Sequence, residues 1–192
     1  MNILFQKFPQ TVTVNGREYA VVTDFREWIK MHEFLTEIDT FTPRVLEMLL
    51  GWYTDDVPED TEGAIRALEG FLCLEGMQDE FQEEEDIDEK GPGKPVFSYS
   101  QDAVFIYSAF REIYGIDLDE IEYMHWWKFR ALFDGLPADT EIKQRIYYRS
   151  LDPKKIKDKE EKKRIQKIQR RIAIKEKAQR VVSDYEIGDA FG

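Results

Sequence analysis

The spacing of apolar and polar residues along the chain predicts a mainly α-helical protein that begins with a small β-hairpin. In TVTVNGREYAVV (residues 11–22), two β-rich runs flank Asn15-Gly16. This pair tolerates the positive φ angles of the tightest hairpin turn. Because two strands alone are only marginally stable in water, the hairpin should pack against helices or against another chain.

Three amphipathic helices are predicted between the hairpin and residue 76. The first follows a cap at Thr23 or Asp24, the second starts at Thr42-Pro43 with Thr42 as its cap, and the third lies within residues 60–75. Apolar residues recur at helical spacing, so one face of each helix should be buried. The predicted core positions are Phe25, Trp28, Ile29, Met31 or His32, Leu35, Val45, Leu46, Leu49, Leu50, Ile65, Leu68, Phe71 and Leu72.

Residues 77–95, MQDEFQEEEDIDEKGPGKP, break this helical pattern. Acidic residues crowd together before Gly and Pro, a composition typical of an exposed and flexible linker. GPGKP resembles a phosphate-binding loop but lacks its first glycine and its Ser or Thr. DIDEKG resembles a calcium-binding loop but places Lys90 at a ligand position. Neither motif therefore predicts a ligand site.

A second helical block follows in SQDAVFIYSAFREIYGIDLDEIEYMHWWKFRALFDGL. Its first helix is predicted to follow a cap at Ser98 or Ser100 and to end at Gly115, and its second helix to follow a cap at Asp117 or Asp119. The predicted core positions are Val104, Ile106 or Tyr107, Phe110 or Arg111, Tyr114, Leu118, Ile121, His125, Trp126, Phe129, Leu132, Phe133 and Leu136.

The HWWKF run within this block raises the question of a functional site. Trp127 lies about 100° from Trp126 around a helix axis. The pattern therefore places Trp126 in the core and leaves Trp127 open: either the helix runs through the centre of the core, or Trp127, with Lys128, reaches a second surface. His125 is one of two histidines, and the chain carries neither a nucleophile elbow nor an HExxH zinc motif. We expect a hydrogen-bonded core histidine, no catalytic residue, no metal and no cofactor, and thus no enzyme.

The chain continues into a basic helical arm. Residues 137–149 predict a short helix capped by Asp139 or Thr140, and residues 154–180 predict one long helix with a narrow apolar stripe. Such a stripe is the seam of a coiled-coil contact. It indicates either a helix that lies on the acidic body or an arm that docks onto another chain. The stripe consists of Ile165, Ile168 and Ile172.

Charge separates the body from the arm. The 192-residue chain has a net charge of −12, but residues 1–150 carry −17 and residues 151–183 carry +8. The overall charge argues against whole-chain attraction to nucleic acid or to anionic membranes. The chain has no apolar run of the length that spans a membrane and no signal-peptide pattern.

Cys73 is the only cysteine, so an internal disulfide is excluded and a reducing cytoplasm fits best. Its apolar neighbours predict a packed and inert thiol.

These patterns divide the chain into four predicted parts. With 42% apolar and 14% aromatic residues, the chain is able to bury a sizeable core. The parts are a hairpin plus helices (1–76), an acidic linker (77–95), an aromatic-rich helical core that packs with the N-terminal part (96–150), and a basic helical arm and tail (151–192).

Residues 100–149 resemble the core pattern of a small phage protein family of tail-morphogenesis modules. The resemblance rests on an Asp-led helix with AF and YGIDL, then HWWKF-x-AL, GLP, and an Ile-x-x-Arg ending at Arg149. The Asn-Gly hairpin followed by TDFREWI is typical of the start of that family, and the basic C-terminal helix also fits. The family occurs in siphophages and prophages of Gram-positive bacteria, where its gene commonly lies beside the tape-measure gene.

The resemblance implies a tail assembly chaperone or accessory protein that binds the tape-measure protein in the host cytoplasm. The alternative is a structural tail component that stays in the virion. Both readings imply protein partners, with no nucleic acid and no membrane, and the resemblance brings no catalytic residues. From the residue pattern, we hypothesise that partner binding and self-association use Trp127, Lys128, Ile165, Ile168 and Ile172.

Overall fold

The computed structural model describes residues 4–38, 40, 42–77 and 95–175. Within these residues the fold is mainly α-helical with a two-stranded antiparallel hairpin near the N-terminus, so the predicted fold class is confirmed. The elements are β1 (Thr11–Val14), β2 (Arg17–Ala20), α1 (Phe25–Glu37), α2 (Pro43–Leu50), α3 (Thr61–Leu72), α4 (Ala103–Ala109) with a following π-helical turn (Phe110–Tyr114), α5 (Trp126–Asp134), α6 (Glu141–Ser150) and α7 (Lys159–Arg171).

The described residues form two compact units. The first unit comprises residues 4–77 and 123–130, and the second comprises residues 95–122 and 131–175. The four-part division expected from the sequence stays a prediction, because all but the two end residues of its linker, 77–95, lie outside the described residues.

In the first unit, β1 and β2 form the predicted tight hairpin. Asn15 and Gly16 have φ angles of 50° and 79°, both in the left-handed region that this turn requires. Val14 pairs with Arg17 across the turn. β1 packs on α3, where the missing side chain of Gly63 allows the approach: a Cβ there would lie 3.1 Å from Val14 Cγ1.

The three predicted helix starts of the first unit are confirmed. Each cap side chain accepts a hydrogen bond from a backbone N–H of the first turn, and such a bond stabilises a helix by about 1 kcal/mol. The bonds run from Arg26 N to Asp24 Oδ1 (2.9 Å), from Val45 N to Thr42 Oγ1 (3.3 Å) and from Gly63 N to Asp60 Oδ1 (3.0 Å). The buried helix residues are Phe25, Trp28, Met31, Val45, Leu49, Ala64, Leu68, Gly70, Phe71 and Leu72.

The prediction of a buried thiol at Cys73 is wrong. Cys73 follows the last residue of α3 and its side chain is exposed. Partial burial of the sulfur, and then the nearby carboxylates of Glu69 and Glu75, raise the pKa of the thiol. The thiolate, which is the reactive form, is therefore disfavoured first by this partial burial and then by the nearby negative charge.

In the second unit, the start of α4 differs from the prediction. The helix begins at Ala103, one residue after Asp102, so neither Ser98 nor Ser100 is its cap. The prediction of Val104 as a core residue is wrong, because its side chain is exposed; of the alternatives Ile106 and Tyr107, Ile106 is the buried one. The buried residues of α4 and the following turn are Ile106, Ala109 and Phe110.

A π-helical turn closes this helix at the predicted residue. Gly115 adopts a left-handed φ of 66°, and its N–H donates to the carbonyl of Phe110, five residues earlier. Residues 116–125 are not helical, so the predicted cap at Asp117 or Asp119 is wrong. The Asp117 carboxylate instead accepts hydrogen bonds from other side chains, those of Tyr107 (3.0 Å) and Arg111 (3.1 Å).

The basic arm is shorter than predicted. α7 starts after Asp158, whose carboxylate accepts from Glu161 N at 2.7 Å, and residues 154–158 are not helical. The helix ends at Arg171, and the rest of the predicted helix, residues 176–180, lies outside the described residues. α7 packs on α6 within the second unit.

Candidate functional site

Within the first unit, the HWW run joins the beginning of α5 to the end of α3 through indole hydrogen bonds. Trp126 Nε1 donates to the carbonyl of Leu72 at 3.1 Å, and Trp127 Nε1 donates to the carbonyl of Phe71 at 3.0 Å. Both carbonyls belong to the last turn of α3, where a helix leaves acceptors without an intrahelical partner. The adjacent tryptophans therefore complete the end of α3 as well as filling the core.

His125 lies just before the first residue of α5. The sequence pattern predicted a position on the helix itself, and that prediction is wrong. His125 Nδ1 accepts from the backbone N–H of Trp127 at 3.0 Å, which leaves Nε2 to donate to the carbonyl of Pro9 at 2.8 Å. Burial lowers the pKa of His125, while the bond to Pro9 acts in the opposite direction. A neutral imidazole with both nitrogens engaged is a structural group and not a free proton acceptor.

A short antiparallel bridge sets the position of this histidine. Asp24 pairs with His125. Phe25 N donates to Met124 O at 2.9 Å, and Trp126 N donates to Thr23 O at 2.7 Å. The start of α1 and the start of α5 are thus held side by side by backbone bonds.

Aromatic packing around the run places Trp127 in the core. Trp126 is fully buried and Trp127 is only 5% exposed. Phe71 packs against Trp127 with ring centroids 5.5 Å apart, and Trp28 stacks on Phe71 at 4.7 Å. The expectation that Trp127 reaches a partner surface is therefore wrong, because its indole is used inside the first unit.

The other predicted partner-binding residues fall in both units. Lys128 is exposed in the first unit. Ile165 is buried in the second unit, whereas Ile168 and Ile172 are half-buried. The isoleucine stripe is therefore at least partly covered within its own unit, and a partner contact through it stays a prediction.

Hydrogen bonds from polar side chains also hold α7 against α6. Gln169 Nε2 donates to the carbonyls of Tyr148 and Leu151, each at 2.8 Å. Arg149 Nε donates to the carbonyl of Ile172 at 2.7 Å, beyond the last residue of α7. The acceptors are carbonyls near the ends of α6 and α7, where helices lack internal donors.

A buried ion pair in the second unit was not predicted. Arg149 and Asp102 form two parallel bonds of 2.6 Å and 3.0 Å, and their side chains are 8% and 1% exposed. Arg149 Nη1 also donates to Val96 O at 3.1 Å, and Asp102 accepts from Ser98 N at 3.1 Å. The carboxylate that begins α4 is thus committed to an arginine near the end of α6.

The only signal for this pair in the sequence was the phage-family resemblance. Asp102 begins the Asp-led helix and Arg149 closes the Ile-x-x-Arg ending of that pattern. The two residues stand 47 positions apart, and no helical or strand period links them.

The profile of a protein family described as Bacteriophage Gp15 protein matches residues 4–174. The chain belongs to this Gp15 family. No curated protein and no solved structure matches the chain. Family membership identifies a bacteriophage protein with a role in phage structure or morphogenesis.

The first unit carries a surface cleft of about 500 Å³ beside the hairpin. Its polar groups already bond to one another. Arg17 pairs with Asp56 at 2.6 Å and lies 4.9 Å from the Tyr19 ring centroid. Asp60 accepts from Asn15 at 3.0 Å and caps α3. We therefore interpret the cleft as the outer surface of the hairpin and not as a ligand site, because these polar groups are already engaged with one another.

Two further features are absent from the residues that the structure describes. No group of three or more His, Cys, Asp or Glu side chains has an arrangement that would hold a metal ion. None of the described helices combines the length and the apolar character that crossing a bilayer requires.

Proposed function

We propose that this Gp15 protein is a tail assembly chaperone or accessory protein that binds the tape-measure protein in the host cytoplasm. The observation that carries the proposal is the family match over residues 4–174, which identifies a phage protein. Within that family, the proposal of a role in tail assembly rests on the resemblance of HWWKF and its neighbours to tail-morphogenesis modules. The proposed activity is binding and not catalysis, because both ring nitrogens of the buried His125 are used in structural hydrogen bonds.

The exposed side of α4 is the surface that best suits such binding. Val104 is 70% exposed and Tyr107 is 38% exposed, three positions apart on one face of the helix. Beside them, the Asp117 carboxylate accepts hydrogen bonds from the Tyr107 hydroxyl and from Arg111. An apolar strip with a tyrosine and a polar rim is the usual anatomy of a contact that receives a partner helix.

A tape-measure protein is expected to be long and helical with an apolar stripe, which would lie exposed before the tail tube encloses it. A partner that covers this stripe lowers the risk of aggregation. Residues Val104 and Tyr107 would supply the covering contact, and the strongly acidic body would keep the complex soluble.

The test is co-expression of the full chain with the product of the neighbouring tape-measure gene, followed by pull-down. The variant Val104→Ser/Tyr107→Ser should lose most of the captured tape-measure protein. A matched control is Val57→Ser/Tyr147→Ser, which removes an exposed valine and an exposed tyrosine elsewhere. Equal capture by both double variants would show that α4 is not the contact, and no capture by the native protein would refute the proposed function.

The second candidate function is a structural tail component that remains in the virion. The family match supports a structural role as well as a morphogenesis role. Mass spectrometry of purified virions separates the two. A chaperone should be absent, whereas a tail component should be present at a fixed copy number.

A further inference from the structure

α7 has two chemically different faces. Ile165, Gln169 and Ile172 lie on the side that packs within the second unit, at helical spacing. The opposite side carries Lys163 and Lys167, which are exposed. The remaining exposed cations of the helix are Lys159, Arg164, Arg170 and Arg171.

The positive charges of this outward face are nearly unpaired. Among the residues that the structure describes, Lys163 has an ion-pair partner on the same helix, Glu160 at 3.2 Å. The other cations of α7 have no ion pair with any described residue. Lys163, Lys167 and Arg170 follow one another at i, i+4 and i+7, so they form a continuous basic row.

We propose that this basic row binds the acidic surface of a second copy of the same chain. Residues 1–150 carry 14 Lys/Arg and 31 Asp/Glu, a net charge of −17. Each copy therefore offers both a basic face and an acidic body, and a head-to-tail contact joins them. At about 0.1 M salt the Debye length is about 10 Å, so charges in contact outweigh the repulsion between two copies with the same net charge.

A polyanion such as nucleic acid is the less favoured occupant. Its phosphates would meet the same acidic body that attracts the second copy. α7 also contains no aromatic residue on which bases could stack between the cations. Charge complementarity within the chain itself therefore points to a protein surface.

The experiment is sedimentation velocity on the full chain alone, without the tape-measure protein, at about 50 mM and about 500 mM NaCl, where screening differs severalfold. The test variant is Lys163→Glu/Lys167→Glu/Arg170→Glu. The matched control is Lys154→Glu/Lys155→Glu/Lys157→Glu, which changes the net charge equally at three exposed positions outside α7. Circular dichroism of both variants verifies that the helices remain.

The proposal expects association of the native protein at low salt and its loss at high salt. The α7 variant should raise the dimer Kd by at least about 10-fold because like charges then meet, and the control variant by much less. Carbodiimide cross-linking of mixed ¹⁴N and ¹⁵N copies should join Lys163 or Lys167 of one copy to carboxylates of the other. A native protein that stays monomeric, or equal losses in the two variants, would overturn the proposal. So would a salt-sensitive shift of duplex DNA without self-association.

Discussion

The indole N–H of Trp127 donates to the backbone carbonyl of Phe71 at 3.0 Å, and the same two residues pack ring against ring. The Trp127 side chain thus supplies both a hydrogen bond to the end of α3 and an apolar contact with the ring of Phe71. The indole N–H of Trp126 likewise donates to the carbonyl of Leu72. The HWW run is therefore a joint between α3 and α5, and both of its tryptophans belong to the core.

The first prediction is that Trp126→Ala and Trp127→Ala have similar costs. Each should lower the free energy of unfolding by about 3–5 kcal/mol, because each removes a buried aromatic side chain and leaves a cavity. The helical spacing of apolar residues alone predicts that Trp127→Ala lowers the free energy of unfolding by less than Trp126→Ala does. Urea unfolding measures the difference, with Lys128→Ala as an exposed control that should change stability by about 0.5 kcal/mol or less.

A subtler variant isolates the hydrogen bond. Trp127→Phe keeps most of the ring contact but removes the indole donor to the Phe71 carbonyl. Because that carbonyl still accepts from Leu74 N at 3.3 Å, the change should cost about 0.5–1.5 kcal/mol. A Trp127→Ala variant as stable as the Lys128→Ala control would contradict the placement of Trp127 in the core.

The second prediction concerns pH. Burial lowers the pKa of His125 below its ordinary value of 6.5, and burial with the charge of Arg130 does the same for His32, against the effect of Glu33. The unfolded chain then binds more protons than the folded chain. Stability from these histidines is fully present above pH 6.5 and is lost as the pH falls through their folded pKa values.

Urea unfolding between pH 7.5 and pH 5 measures this loss. His125→Asn retains an acceptor for the Trp127 backbone N–H but does not titrate, so the slope of stability against pH should become shallower in this range. The contribution of His32 should remain. An unchanged slope in the variant would mean that His125 does not contribute to the pH dependence.

The parts of the fold that the sequence predicted depend on local chemistry. The Asn15-Gly16 turn and the caps at Asp24 and Thr42 are each decided by residues within a few positions of one another. Gly115 closed its helix for the same reason, because a left-handed φ favours glycine.

The parts that failed depend on contacts between distant segments. Apolar spacing continued from Leu118 to Phe133, yet the helix begins only at Trp126 because residues 124–126 form backbone bonds with residues 23–25. No period in the sequence indicates a bond from Trp127 to a carbonyl 56 positions earlier. The sequence also failed to predict the candidate surface on α4, because its apolar spacing placed Val104 in the core, whereas the side chain is exposed.

The third prediction concerns the buried ion pair. Asp102→Ala should destabilise the protein by about 3–5 kcal/mol, because it leaves the Arg149 guanidinium buried without its counter-charge. The double variant Asp102→Leu/Arg149→Met should lower the free energy of unfolding by clearly less than the sum of its two single variants, Asp102→Leu and Arg149→Met. The control is Glu62→Ala, which breaks an exposed pair with Arg66 and should change stability by about 0.5 kcal/mol or less. Additive costs in the double-mutant cycle would show that the pair is not coupled.

The last prediction separates the two faces of α7. Ile165 is buried, and the helix is tied to α6 by Gln169, so Ile165→Ser should release α7 from its packing within the second unit. The loss of a buried isoleucine corresponds to about 2–5 kcal/mol of local stability. Hydrogen exchange should report it as faster exchange of amides along α7. Lys167→Ser, two residues further on the opposite, exposed side of the helix, should leave those amides protected, because its side chain is exposed and has no ion pair among the described residues. Faster exchange in both variants would mean that α7 is held by its charge and not by the isoleucine stripe, and unchanged exchange in both would mean that the stripe does not anchor the helix.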